Sequence, residues 1–290
     1  MKKLVMSRYG VYIHLMDKER ARDITADISY IINMQAPFIE YTDDEIEGDE
    51  YEYVMERFCR GLGLYEAADE EYIRIIFKEG RLLDAESFMN NPYIRDIHFA
   101  DRKIGDYLLT SASYDRGEFL QRDMPDIVPR LGFFREKVTF PGIYEGNVPW
   151  MSVCPSEIET MSEPANRASG RVLVLGLGLG YYPYIISLKD EVEHIDIVEL
   201  SSEVIEIFEK EIFPQFSTKD KIRIIHDDAI EYMKRVESGQ YDFIFSDIWE
   251  NQYDGAIAYR KIKEHEERLQ ETQFMYWIEK QIEEYLTDGV

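Results

Sequence analysis

Val172-Leu173-Val174-Leu175-Gly176-Leu177-Gly178-Leu179-Gly180 is the stretch whose reading decides the fold. Four consecutive apolar residues suit a strand buried on both faces, because a strand with one solvated face would alternate instead. The three alternating glycines then predict a tight turn into a helix that begins near Tyr181. At such a turn the missing side chains let backbone approach a ligand, and the unpaired N–H groups of the helix end favour an anionic or polar one. A close-packed turn with no ligand is the plainer alternative, but three glycines at this spacing favour a nucleotide-type site.

Downstream, the pattern alternates. A strand is expected at 195–198, then a helix capped by Ser201 with Val204, Ile205, Phe208 and Ile212 on one face and Glu203 near its positive end. A strand at 222–225, a helix at 229–236 and a strand at 243–245 follow. This βαβ alternation predicts an α/β fold: a Rossmann-like, doubly wound, mostly parallel sheet with helices on both faces. Residues 271–286 carry Phe274, Trp277, Ile278, Ile282 and Tyr285 at helical spacing and predict one closing helix.

Upstream, the texture differs. A strand is expected at 11–15, a helix at 18–34 bearing Ile24, Ile28, Ile31 and Ile32, an exposed acidic loop at 40–52, and short helices over 53–91. Short strands are expected at 103–109, 118–122, 137–140 and 148–153, with a lead-in helix and linker at 154–170. The expected division is an N-terminal α+β domain over 1–150 and the nucleotide-type domain over 151–290, two units being the natural count for 290 residues.

Composition narrows the function. With 33 basic and 58 acidic residues the formal charge is -25, a field that repels phosphate backbones and anionic membrane surfaces, so no nucleic acid partner is expected. The start Met1-Lys2-Lys3-Leu4-Val5-Met6 is interrupted by Ser7-Arg8-Tyr9-Gly10, and no stretch reaches the roughly 20 apolar residues that cross a bilayer, so a cytoplasmic protein without a membrane segment is expected. Cys59 and Cys154 form no framework, and His14, His98, His194, His226 and His265 are scattered, so no metal is expected.

The dinucleotide fingerprint wants a third glycine or alanine where this chain has Tyr181, which argues against a nicotinamide cofactor. Residues 172–180 instead resemble the first motif of class I S-adenosylmethionine-dependent methyltransferases, and look most like the spermidine-synthase-like branch. Three further positions match in order. Glu199, in Val198-Glu199-Leu200, resembles the family's acid that accepts from both ribose hydroxyls, a task for a group that is acceptor-only when ionised. His226-Asp227-Asp228-Ala229 resembles the acidic-Ala turn that takes the adenine amino group, with Asp228 the better match, Asp227 the second choice and Ala229 beside it; an ordinary helix N-cap would also want Asp there. Asp247 resembles the residue at the end of the fourth strand that faces the methionine moiety and the acceptor, and is the candidate catalytic group; a buried or capping Asp is the plainer alternative.

The resemblance therefore implies S-adenosylmethionine as cofactor, held by Gly176, Gly178, Gly180, Glu199, Asp227, Asp228 and Ala229. Val174 stands where many methyltransferases have an acid, although spermidine-synthase-like members are also apolar there. After the closing helix the last three family strands are expected to be missing, which implies a shortened relative or a sheet completed from elsewhere. Methyl transfer to a small-molecule acceptor is the leading expectation. Aminopropyl transfer to a polyamine is the alternative, motivated by Val174 and the acidic surface, while Ile248-Trp249-Glu250 departs from the second acid or Ser/Thr-rich turn of aminopropyltransferases. A noncatalytic scaffold is the third expectation. Trp249, Tyr253 and Tyr259 are either acceptor pocket or core, and a homodimer is the expected assembly.

Overall fold

The structure, a computed structural model, describes residues 4–6, 12–14, 81–116, 118, 120–121, 131–146 and 148–287. The expected helix at 18–34, the acidic loop at 40–52 and the helices over 53–80 lie outside the described residues. The chain forms two compact units, one of Met1–Phe88 with Ser113–Thr139, the other of Met89–Ala112 with Phe140–Val290. The second unit thus reaches back past residue 150, because strands before that point share its core.

In the first unit Leu4–Met6 pairs antiparallel with Tyr12–His14, and a small sheet joins Arg81–Leu82, Leu131–Phe133 and Leu120–Gln121. Leu120, Phe134 and Val138 make its buried cluster, with Leu83, Phe88 and Tyr114 packed against them.

The second unit carries two sheets. The four-stranded sheet is ordered β1 (Arg102–Ile104), β2 (Tyr107–Tyr114), β3 (Val138–Glu145), β4 (Val148–Ser152). The expected strand at 103–109 is really a hairpin, because Gly105 at φ +58 turns β1 back onto β2. Ahead of it lies the short helix α1 (Pro92–Asp96), capped by the Asn91 side chain, which accepts from the Tyr93 N–H at 3.0 Å.

The parallel sheet follows. Its elements are α2 (Pro155–Arg167), β5 (Gly170–Leu175), α3 (Tyr181–Ser187), β6 (Val192–Glu199), α4 (Ser202–Ile207), β7 (Ile222–His226), α5 (Ala229–Met233), β8 (Phe243–Ser246), α6 (Gln252–Lys263), β9 (Gln273–Tyr276) and α7 (Glu279–Thr287). The five strands are all parallel, in the order β7-β6-β5-β8-β9. Val172, Leu173, Val174 and Leu175 are at most 1% exposed, so both faces of the central strand are covered, as the apolar run requires. Each such side chain contributes about 1.5–3 kcal/mol by leaving water.

One expectation is corrected here. Residues 271–286 are not a single helix: Gln273–Tyr276 is the fifth strand, paired with β8, and Ile278 at φ +47 turns the chain into α7. The fifth strand expected to be missing is therefore present, and α6 is the helix that precedes it.

Candidate active site

Register decides where the polar residues go. Leu175 pairs with Val198 on one side and Ser246 on the other, so Gly176, Glu199 and Asp247 each follow at the carboxyl end of adjacent strands. After β5 the chain runs to β6 on one side and later crosses to β8 on the other, and ligands of open α/β sheets bind at such a switch point.

The elbow between β5 and α3 needs its glycines. Gly176 has φ +99, and a Cβ there would lie 2.0 Å from the Asp247 carbonyl oxygen, so the two strand ends touch through bare backbone. At Gly178 a Cβ would lie 2.0 Å from the Met151 sulfur. Met151, from β4, rests over the elbow and its Sδ accepts the Leu179 N–H at 2.9 Å. From the other side Tyr93, fully buried in α1, donates its hydroxyl to the Leu179 carbonyl.

Glu199 is 8% exposed and turned inward. Its Oε2 accepts the Leu177 N–H at 3.0 Å and its Oε1 the Ser201 N–H at 2.8 Å, which ties the elbow to the start of α4. A carboxylate offers about four acceptor sites, so each oxygen keeps capacity for one more donor, the demand of a vicinal diol.

These groups line one cavity of about 770 Å³. The structure brings Gly176, Gly178, Glu199, Asp228, Ala229 and Asp247 together around it. Asp228 is at once a cavity residue and the cap of α5, its Oδ1 accepting from Glu231 N–H at 2.9 Å. Asp227 instead pairs with Arg235, and its Oδ1 accepts the Asp228 N–H. Gly180 packs beneath Phe208 and caps α3. Neither lines the cavity.

Of the aromatic candidates, Trp249 lines the cavity and is oriented by its Nε1–H donating to the Trp277 carbonyl at 3.2 Å. Tyr253 is 63% exposed against Tyr285, and Tyr259 is buried against Tyr276. Sequence reasoning missed Tyr107, Trp150 and Met151, which come to the cavity from the antiparallel sheet, and Glu157, which comes from the first turn of α2. Tyr107 meets Trp150 edge to face at 5.5 Å, and its phenol is pushed up by burial and then by Glu145.

Two acids behave unlike the rest. Glu157 and Asp247 both line the large cavity and also a narrow one of about 30 Å³ behind Met151. Burial pushes the Glu157 carboxyl up to about 7. Burial, and then the Glu157 charge, holds the Asp247 carboxyl well above the usual carboxylate range. Among the described residues no group of three or more His, Cys, Asp and Glu side chains could hold a metal ion, and no helix is long and apolar enough to cross a membrane.

An all-parallel sheet in this order, with a glycine elbow after its central strand and an acid ending the next, defines the class I S-adenosylmethionine-dependent methyltransferase-like fold. Residues 156–260 match the spermine/spermidine synthase domain, so this part of the chain is similar to the spermidine-synthase-like branch of that class. Among individual proteins it is similar to the polyamine aminopropyltransferase of Streptococcus uberis, 29% identical over 80 residues. That similarity spans only about a quarter of either protein, 27% of each chain. Among solved structures it is similar to the spermidine synthase of Thermotoga maritima, with 17% identity over 42% of this chain and 48% of that one and a TM-score of 0.32. It is also similar to a precorrin 8W decarboxylase of Methanobacterium thermoautotrophicum, with 17% identity over 47% of this chain and 73% of that one and a TM-score of 0.34.

Proposed function

We propose that the protein transfers an aminopropyl group from a decarboxylated S-adenosylmethionine-type donor to a small amine. The observation that carries this is the charge of the cavity: Glu157, Glu199, Asp228, Asp247, Glu250 and Asp254 line it, and among the described residues no Lys, Arg or His does. A donor with an α-carboxylate would meet no countercharge there and a crowd of like charges, whereas an ammonium tail and an amine acceptor find partners. The domain match over 156–260 and the name of the Streptococcus uberis relative support the same choice over the methyl transfer expected from sequence.

The residues present suit such a nucleoside. Glu199 keeps free acceptor capacity for the ribose hydroxyls, the elbow at Gly176 leaves backbone bare beside it, and Asp228 with Ala229 stands at the adenine end. The bound donor supplies a carbon activated by its neighbouring sulfonium. Trp249, held by Trp277, and the apolar Ile248 keep water from that end, and Asp247 is the group poised to orient the amine and take its proton.

The test is a competition between donors. Isothermal titration should give the decarboxylated donor at least about tenfold tighter binding than S-adenosylmethionine, and mass spectrometry with a panel of di- and triamines should find a product heavier by one aminopropyl group. Tighter binding of the carboxylated donor, or formation of S-adenosylhomocysteine in its place, would return the protein to methyl transfer.

A further inference from the structure

Neither the Glu157 nor the Asp247 carboxylate has a hydrogen-bond or ion-pair partner among the described residues, although Ser246, next in the chain to Asp247, is fully buried. Both reach the narrow cavity of about 30 Å³, room for a water molecule or so and not for a counterion with its shell. Tyr181 and Tyr182 come from α3, Met151 from β4 brings no charge, and across the larger cavity the titratable groups among the described residues are the Tyr107 phenol and further acids, Glu199, Asp228, Glu250 and Asp254. The Tyr181 phenol is itself pushed up, by burial first, so it brings no charge to the pair at neutral pH. Two like charges sharing so narrow a space repel, and one retained proton relieves them both.

We infer that Glu157 and Asp247 hold one proton between them and act as a unit, with Asp247 receiving the proton of the acceptor ammonium and Glu157 the positioning residue that sets when it can. This rests on the aminopropyl-transfer reading only for the identity of the amine. The steps balance. The ammonium gives one proton to the singly charged pair, its N–H electrons staying on nitrogen, and the pair becomes neutral. The amine then forms a bond to the donor carbon as the C–S bond breaks, its electrons leaving on sulfur, and the new secondary ammonium carries the positive charge that the sulfonium lost. A coupled pair of this kind titrates as a pair, so its pH behaviour belongs to neither residue alone.

The experiment compares the wild type, Glu157→Gln and Glu157→Asp, each first shown to be folded by thermal melting. In the wild type, infrared difference spectra of the carboxyl C=O stretch should show the last proton of the pair leaving well above the usual carboxylate range. In Glu157→Gln that loss should move down by at least about one pH unit, because the neighbouring charge no longer holds the Asp247 proton. In Glu157→Asp it should stay near the wild-type position. A proton loss unmoved in Glu157→Gln overturns the inference and leaves Glu157 a packing residue. Infrared difference spectra of the carboxyl C=O stretch read the pair without any substrate. A carboxyl band that survives to higher pH in the wild type than in either Glu157→Gln or Asp247→Asn supports the pair even where no amine is aminopropylated, a result that would sink the proposed reaction alone. Turnover with no such band would do the reverse.

Discussion

The cavity has two ends built from the same residue type in opposite surroundings. At the nucleoside end Glu199 is surrounded by donors: the Leu177 and Ser201 N–H groups fill one site on each oxygen. At the transfer end Glu157 and Asp247 have no donor among the described residues and share one narrow cavity. A carboxylate fed by backbone amides is a fixed anchor, because the charged form is the one those amides stabilise. A carboxylate without them favours its proton, and becomes a group that can exchange it. The difference lies in the backbone. Glu199 follows β6 where the elbow and the start of α4 converge with spare N–H groups, whereas the amide of Asp247 is already spent on the Leu175 carbonyl at 2.9 Å.

The largest effect should come from breaking the anchored end. Glu199→Ala removes two charge-assisted hydrogen bonds and leaves two N–H groups short, at about 1.5–3 kcal/mol each. The variant should lose about 3–6 kcal/mol in urea denaturation, against a usual total of about 5–15. A loss under about 1 kcal/mol would mean that water replaces the carboxylate at little cost, and the contrast between the two ends would dissolve.

The unanchored end should respond to pH and not to substitution as such. Glu157 has a folded value raised from 4.5 to about 7, so between those limits the folded chain binds more protons than the unfolded one. Its contribution to stability is present below about 4.5 and is lost as pH rises through about 7. Glu157→Gln cannot lose what it never had. The stability of the variant relative to wild type should therefore climb across that window by something of the order of 3 kcal/mol. Parallel curves for the two proteins would show that Glu157 is solvated and that both ends hold ordinary carboxylates.

How much of this was legible in the sequence depends on which interactions are local. Val172–Leu175 announced a strand buried on both faces because covering both faces leaves no polar position. Glu199 and Asp247 were readable because each stands at the carboxyl end of an expected strand, one residue past Val198 and two past Phe245. Gln273–Tyr276 was not, since Phe274, Trp277, Ile278, Ile282 and Tyr285 continue a helical spacing straight through it. The turn that separates strand from helix sits on Ile278, which carries no glycine signal despite φ +47. The Gly105-Asp106 turn was a readable break within the strand expected at 103–109. Met151, Trp150 and Tyr107 reach the cavity from strands outside the βαβ pattern, where nothing in the local spacing points to it. Glu157 was hidden differently: among 58 acids only its burial marks it, and burial is a tertiary property.

The smallest expected effect tests whether charge is what makes an anchor. The elbow is held at Leu177 by a carboxylate and two residues later, at Leu179, by neutral groups: the Tyr93 hydroxyl on its carbonyl and the Met151 sulfur on its N–H. Tyr93→Phe keeps the ring and its edge-to-face contacts with Tyr181 and Tyr184, both at 5.6 Å, and removes only the hydroxyl. The carbonyl of Leu179 then loses a neutral donor, worth about 1–2 kcal/mol where no water reaches it. Denaturation should show that loss, and donor affinity should fall by less than in Glu199→Ala, since the bare backbone at Gly176 and the cavity acids stay where they are. Equal losses in the two variants would mean that the elbow is one rigid body in which any tether serves, and that the charge on Glu199 matters to the ligand and not to the fold.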